Sequence, residues 1–367
     1  MLDEENYIMR GMNSSQPISP NLKRMEYNQP TMKPRNLTID SLRLLATLEV
    51  IALHVTFPNL PNAVAIAIRL QARWAVPFFF IISGYYLAER LADPNRADVR
   101  PAIYRLIWLF LLWSLIYVPL VIYEHDVKEV FRRLLFSSFI YIGEYFHLWF
   151  PSSLVLGYIF LLFCFHYKLE KWIPLISVGI FIHIFLAGAY NGVFDLKFPF
   201  DFVIARQWVS IPMLYLGVWL FRRGPLNKTL AMILLFGGLG LQFVEAWFLF
   251  TRFKISPYDS EILIGTIPFA LGAASLGLSQ IRFLEQRQLS SWGKDYSLGI
   301  YLLHPLVIVI CGLLITALIP ALDVSAIWQI LYSFVILFLC IGIFAALRKW
   351  LPAVFKFLMG DLIAKRN

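Results

Sequence analysis

Arg43 and His54 stand eleven residues apart in Leu37 to Phe57, LTIDSLRLLATLEVIALHVTF, an apolar run that also holds Asp40 and Glu49. Eleven steps at 3.6 residues per turn come close to three whole turns, so both side chains leave one face of a helix. Their backbones would lie about 16 Å apart along the axis, the span of a long, narrow ligand. Arg43 keeps its charge at any physiological pH, and its planar fork suits the diphosphate or ribose phosphate of a nucleotide-like cofactor. His54, at the far end, could take a proton from an attacking hydroxyl. Asp40, three residues before Arg43, could hold the guanidinium in place. A snorkelling arginine and a histidine bonded to a neighbouring helix would account for each residue separately, but not for their alignment on one face.

Three further stretches mix polar and apolar residues in patterns that bear on chemistry. In FFFIISGYY, Phe78 to Tyr86, the small Ser83 and Gly84 allow a helix or a ligand to approach the backbone closely. In EYFHLWFP, Glu144 to Pro151, Glu144 and His147 are spaced to pair on one helix face, and Trp149 brings an indole to a membrane interface. In YSLGIYLLHP, Tyr296 to Pro305, Ser297, Tyr301 and His304 follow a four-then-three spacing and form one polar stripe. Polar contacts between helices explain Ser297 and Tyr301 well, whereas His304 lies deeper and is harder to dismiss.

Composition dictates where such helices stand. Of 367 residues, 59% are hydrophobic and 16% aromatic, and the mean hydropathy is +0.68, so the chain is a polytopic membrane protein. The expected fold class is all-α, with about ten transmembrane helices and both termini cytoplasmic, each apolar run being set against the ~20 residues a crossing helix needs. The spans fall near 41–58, 72–88, 103–123, 146–165, 172–190, 207–221, 229–250, 261–279, 296–319 and 325–347. Segments assigned inside carry more than twice the Lys and Arg of those assigned outside, which sets this orientation. The net charge of +9 therefore speaks of topology, and nucleic acid is not an expected partner.

The domain reading is a flexible, polar cytoplasmic tail over 1–36, a membrane domain over 37–350 and a short basic cytoplasmic tail over 351–367. Val127, Val130, Phe131, Leu134 and Leu135 recur opposite Lys128, Arg132 and Arg133, as an amphipathic helix in the outer interface would require. The outer loop from Asn191 to Arg206 mixes Phe194, Phe198, Phe200 and Phe202 with charges and could floor a substrate cleft or belong to an aromatic belt. Cys164, Cys311 and Cys340 all fall in apolar runs and make no disulfide framework. No repeat, glycine-rich phosphate loop or metal-ligand spacing occurs, which argues against ATP-driven chemistry and against a metal.

IDSLRLLATLEVIALH with its Arg-x10-His spacing, FFFIISGYY, FHLWF and YSLGIYLLHP follow one another in an order and at distances that resemble the acyltransferase-3 family of bacterial membrane O-acyltransferases. Within it the likeness is greatest to O-acetyltransferases of surface polysaccharides, and it covers roughly 37–350. The resemblance implies an acyl group, usually acetyl, carried from acetyl-CoA or another acyl-CoA at the cytoplasmic face to a hydroxyl of a cell-envelope glycan or lipid-linked glycan. It implies a multi-pass protein of the bacterial inner membrane, with Arg43 and His54 as the pair required for activity. The family's usual glycine after this arginine is replaced by Leu44, which could change how closely a second helix packs there. Glu49 matches no family role.

On this reading Arg43 grips the phosphate end of the donor, the pantetheine arm lies along the helix, and His54 meets the thioester. Transfer could be direct or could pass through an acyl group resting on a side chain. His147 and His304 would line the acceptor side, with Asp40, Ser83, Glu144, Trp149 and Tyr301 in support. The competing class is a transporter or flippase that uses intramembrane Arg and His as a substrate or proton path. Against it stands the absence of two matching halves.

Overall fold

The computed structural model describes residues 35–55, 57–92, 98–136, 138–194, 202–258, 261–323 and 325–364. Residues 1–34 of the expected tail and 195–201 of the aromatic loop lie outside them. Among the described residues every regular element is a helix. The main ones are α1 (Leu37–His54), α2 (Asn62–Ala72), α3 (Ala75–Leu91), α4 (Arg100–Glu124), α5 (Val127–Leu135), α6 (Trp149–His166) and α7 (Ile173–Ala187). They continue with α8 (Ser210–Arg223), α9 (Lys228–Phe253), α10 (Thr266–Leu278), α11 (Arg287–Leu318), α12 (Ala326–Trp350), α13 (Pro352–Leu358) and α14 (Asp361–Ala364).

Eight helical stretches are long and apolar enough to cross a bilayer, α2 and α3 counting as one. The first and eighth of the ten expected spans are helices too, but α1 carries Asp40, Arg43 and Glu49, and α10 has only 13 residues. Neither is suited to lipid on its own.

Packing answers how α1 tolerates its charges. It contacts α2, α3, α10, α11 and α12, and Ile39, Ala46, Val50 and Ile51 are shut away from all solvent and lipid. Its start is fixed by Asn36, whose side chain accepts from Ile39 N at 3.0 Å and donates to Gly277 O at 3.1 Å. Asp40 and Glu49 are thus enclosed by protein, while Arg43 faces a cavity within it. Gln71 Nε2 of α2 donates to Glu49 at 2.5 Å, which gives this carboxylate a structural role between two helices.

Close helix contacts are built on small residues, as expected where apolar burial between helices gains little over lipid. A Cβ on Gly84 of α3 would run into the backbone of Leu214 in α8, and one on Gly217 into Ile81 O. The packing expected of FFFIISGYY is thereby found. Beside α1, Gly293 of α11 lets the backbone at Asp40 and Leu44 come near, so the small residue sits on the partner helix and Leu44 is accommodated. By contrast α9 turns Ile233, Phe236, Val244 and Trp247 outward, as a lipid-facing helix would.

Helix α5 forms as its periodicity predicts, with Asp126 capping it by accepting from Glu129 N at 2.8 Å. Val130 is buried while Phe131 and Leu135 remain exposed, which suits a helix at an interface. At the other end of the chain, α13 and α14 fold against α4. Arg105 Nε donates to Met359 O at 2.8 Å, and Trp108 and Trp113 donate to Phe357 O and Leu358 O, each at 3.3 Å.

Candidate active site

One cavity of about 720 Å³ opens where α1, α4, α11, α12 and α13 meet. One end of it is basic. Arg43, Arg105, Lys294, Arg348 and Lys356 line it, against the acids Asp295 and Asp361. Lys294, Arg348 and Lys356 are exposed, Arg105 pairs with Asp361 at 3.1 Å, and Arg348 pairs with Asp295 at 2.6 Å. The other end is apolar and aromatic, walled by Phe79, Phe150, Leu154 and Tyr301, with the hydroxyls of Ser83 and Ser297 beside them. Arg43 stands between the two ends. Asp40 holds its Nη1 at 3.1 Å, and its guanidinium lies 5.2 Å from the centroid of the Tyr86 ring.

Behind Tyr301 lie three imidazoles. His54 stacks on His304 with ring centroids 5.3 Å apart, and His147 meets His304 edge-on at 5.7 Å. They come from α1, α11 and the turn before α6, so the cluster exists only once these three parts of the chain have packed. His147 and His304 are fully buried; His54 is partly buried and touches Phe146, which is 44% exposed. The cluster is therefore open on the side of His54 and Phe146, neither of which lines the cavity.

Pro305 explains how the cluster is held. It has no N–H, so the helix loses the donor that Tyr301 C=O would receive four residues on. His304 Nδ1 fills that place at 2.7 Å and also lies 3.2 Å from Ile300 O. The next carbonyl, Leu302 O, accepts from Tyr117 Oη at 2.9 Å and from His147 Nε2 at 3.2 Å. Tyr301 Oη donates to His147 O at 2.6 Å, which fastens α11 to the turn before α6. The opened helix and the histidines complete one another's hydrogen bonds.

Two ring nitrogens are left over. His304 Nε2 and His147 Nδ1 are buried and have no partner among the described residues. No group of His, Cys, Asp or Glu among these residues is arranged to hold a metal ion.

The structure brings His54, His147, His304 and Tyr301 together, and places Arg43, Ser83 and Ser297 on the cavity wall. Ser83 is bonded to Tyr158. The expected pairing of Glu144 with His147 is not made, because the chain there is not yet α-helical. Gly143 has φ +67°, Tyr145 is extended, and Phe146–Leu148 form a 3₁₀ turn before α6 begins. Glu144 is buried with both carboxylate oxygens unpartnered among the described residues, and burial raises its pKa above the ordinary value against the pull of Arg133. Trp149 lies under the guanidinium of Arg206, 5.1 Å from its ring centroid.

Sequence reasoning missed Arg206, which also pairs with Glu261 at 3.1 Å, and the basic mouth formed by Arg105, Lys294, Arg348 and Lys356. Those residues sit at helix ends, where Lys and Arg read first as a topology signal. The available hint was that the chain after α12 keeps both Lys356 and apolar Phe355 and Met359, enough to pack back on the bundle.

A family model described as an acyltransferase domain matches residues 36–358. Among curated proteins, the chain is 28% identical over 345 residues to an amino-acid racemase of Enterococcus faecalis, covering 86% of this chain and 46% of the relative. It is 31% identical over 133 residues to a serine/alanine racemase of Enterococcus gallinarum, covering 34% of this chain and 19% of the relative. The chain thus spans less than half the length of these relatives. No solved structure gives a significant match.

Proposed function

The chain belongs to the acyltransferase-3 family and is a membrane acyltransferase, and on that footing we propose that it moves an acyl group, acetyl in the simplest case, from acyl-CoA to a hydroxyl of a cell-envelope or secreted polysaccharide. The observation that carries this reading is the cavity. It runs from an exposed cationic mouth past Arg43 to an aromatic end at Tyr301, one helical turn short of the histidines. A coenzyme A thioester has the matching order of parts: a multiply charged nucleotide end, a long neutral arm and a small acyl group. At about 720 Å³ the cavity has the size of a site for a large small-molecule ligand.

In this reaction the donor enters from the cytoplasm, and Arg105, Lys294, Arg348 and Lys356 gather its phosphates while Arg43 binds deeper in. The thioester stops at Phe150 and Tyr301. His54 takes the proton of the acceptor hydroxyl as its oxygen attacks the thioester carbonyl; the C–S bond breaks, and the proton goes to the departing thiolate. One ester and one free thiol result, and the imidazole ends neutral. The acceptor comes from the side where Phe146 and His54 are accessible, across the bacterial cell membrane from the donor.

The test is release of free coenzyme A from acetyl-CoA by the purified protein in nanodiscs, with a mixture of envelope glycans as acceptor. Glycan-dependent thiol release, with acetyl ester appearing on the glycan, is the expected outcome. A protein that neither binds acetyl-CoA nor releases thiol would end this reading and make transport the better account.

A further inference from the structure

His147 and His304 carry opposite tautomers, and this follows from their partners. A carbonyl oxygen can only accept a hydrogen bond, so the nitrogen facing it must carry the proton. His304 donates from Nδ1 to Tyr301 O at 2.7 Å, which leaves Nε2 with a bare lone pair. His147 donates from Nε2 to Leu302 O at 3.2 Å, which leaves Nδ1 bare. Both rings are fully buried, and they pack edge to face at 5.7 Å.

Two adjacent lone pairs cannot satisfy each other, and leaving a buried polar atom unpaired costs about 1–3 kcal/mol. Turning His304 over would orphan Tyr301 O, which Pro305 leaves without its helical donor, and turning His147 over would give up its bond to Leu302 O, a carbonyl it shares with Tyr117 Oη. The site is thus fixed as a pair of acceptors that only an incoming donor completes.

We propose that His147 Nδ1 and His304 Nε2 form the acceptor-substrate subsite, and that each takes a hydrogen bond from a hydroxyl of a neutral polyol. The pair selects a ligand that presents two hydroxyl donors close together, as a sugar ring does, and holds it beside the stacked His54. The subsite rests on the acyl-transfer reading for its purpose, but its hydrogen-bond pattern does not.

The full chain in nanodiscs, carrying ¹⁵N-labelled histidine, tests it directly. His304→Asn keeps a donor where Nδ1 stood, and His147→Gln keeps one where Nε2 stood, so both variants retain their backbone bond and lose only the bare nitrogen. Their spectra assign the two rings, which are expected to show opposite tautomers. Methyl glucoside is expected to shift both bare-nitrogen resonances, whereas its fully O-methylated form, which has no donors, leaves them in place. Identical tautomers, equal shifts with both sugars, or no shift with either would overturn the subsite.

In transfer assays each variant is expected to bind acetyl-CoA as the wild type does, while transfer falls about tenfold or more, chiefly through a raised KM for the acceptor. Full transfer by both variants would reduce the two histidines to helix fasteners. If wild type fails to bind acetyl-CoA, the acyltransferase chemistry proposed above falls, and the two-sugar comparison still decides the subsite.

Discussion

The cavity mouth and the histidine cluster lie along the same stretch of α1 and α11, and they are built on opposite principles. The mouth is charged and open: Lys294, Arg348 and Lys356 are exposed, and Arg105 and Arg348 are already engaged with acids. Water and salt screen such charges, so each contributes little and several are needed. The cluster is enclosed, with His147 and His304 buried and bonded to Leu302 O and Tyr301 O, the second of which Pro305 leaves without a helical donor. Here one atom out of place has no substitute. The first region suits capture of a soluble, multiply charged donor, and the second suits alignment of a reacting group.

The comparison is most exposed to failure at His54. His54→Ala is expected to lower transfer by about 10²- to 10⁴-fold, the usual range for losing a positioned general base. Acetyl-CoA binding should stay within about twofold, since this side chain is not on the cavity wall. A raised KM for acetyl-CoA with kcat unchanged would merge the two regions into one binding site.

Arg43 lies between them and should behave as binding machinery. Loss of charge-assisted bonds worth about 1.5–3 kcal/mol corresponds to a KM for acetyl-CoA raised roughly 10- to 100-fold in Arg43→Ala. At the mouth, Lys294→Gln and Lys356→Gln are each expected to raise KM only about two- to fivefold, an effect that fades as salt is added. Steady-state kinetics at two ionic strengths checks both. A mouth variant whose effect is large and insensitive to salt would show that its cation is held as rigidly as the histidines.

The same contrast governs what could be read beforehand. Arg43 and His54 were legible because a single helix fixes their relation: eleven residues bring two side chains to one face whatever surrounds them. The stripe of Ser297, Tyr301 and His304 was legible for the same reason, and it divides between the cavity and the cluster. Relations between distant segments were not. Nothing in EYFHLWF says that the chain turns through a positive-φ Gly143 before α6, so the Glu144 and His147 spacing pointed to a pair that the backbone does not allow. The apolar run of α1 also reads as a membrane span, although Asp40, Arg43 and Glu49 make it a costly one. Only its enclosure by five other helices resolves that, and enclosure is a property of the assembled bundle.

The smallest expected effect comes from an ion network that resembles the mouth in exposure but has no ligand to bind. On α5, Glu129 accepts from Arg132 at 2.6 Å and from Arg133 at 2.9 Å, and Arg132 lies at the surface. Those two bonds hold the Glu129 carboxyl down to about 2. Because the folded value lies below the ordinary 4.5, the network supports the fold fully above that pH and loses its contribution as pH falls toward 2. Glu129→Gln should therefore unfold slightly earlier than wild type at pH 7, and the gap should close between about pH 4.5 and 2. Its KM for acetyl-CoA should equal that of wild type, because these cations lie off the cavity. If Glu129→Gln raised that KM as Lys294→Gln does, the mouth would owe its effect to the charge of the whole protein, and placement around the cavity would lose its claim to matter.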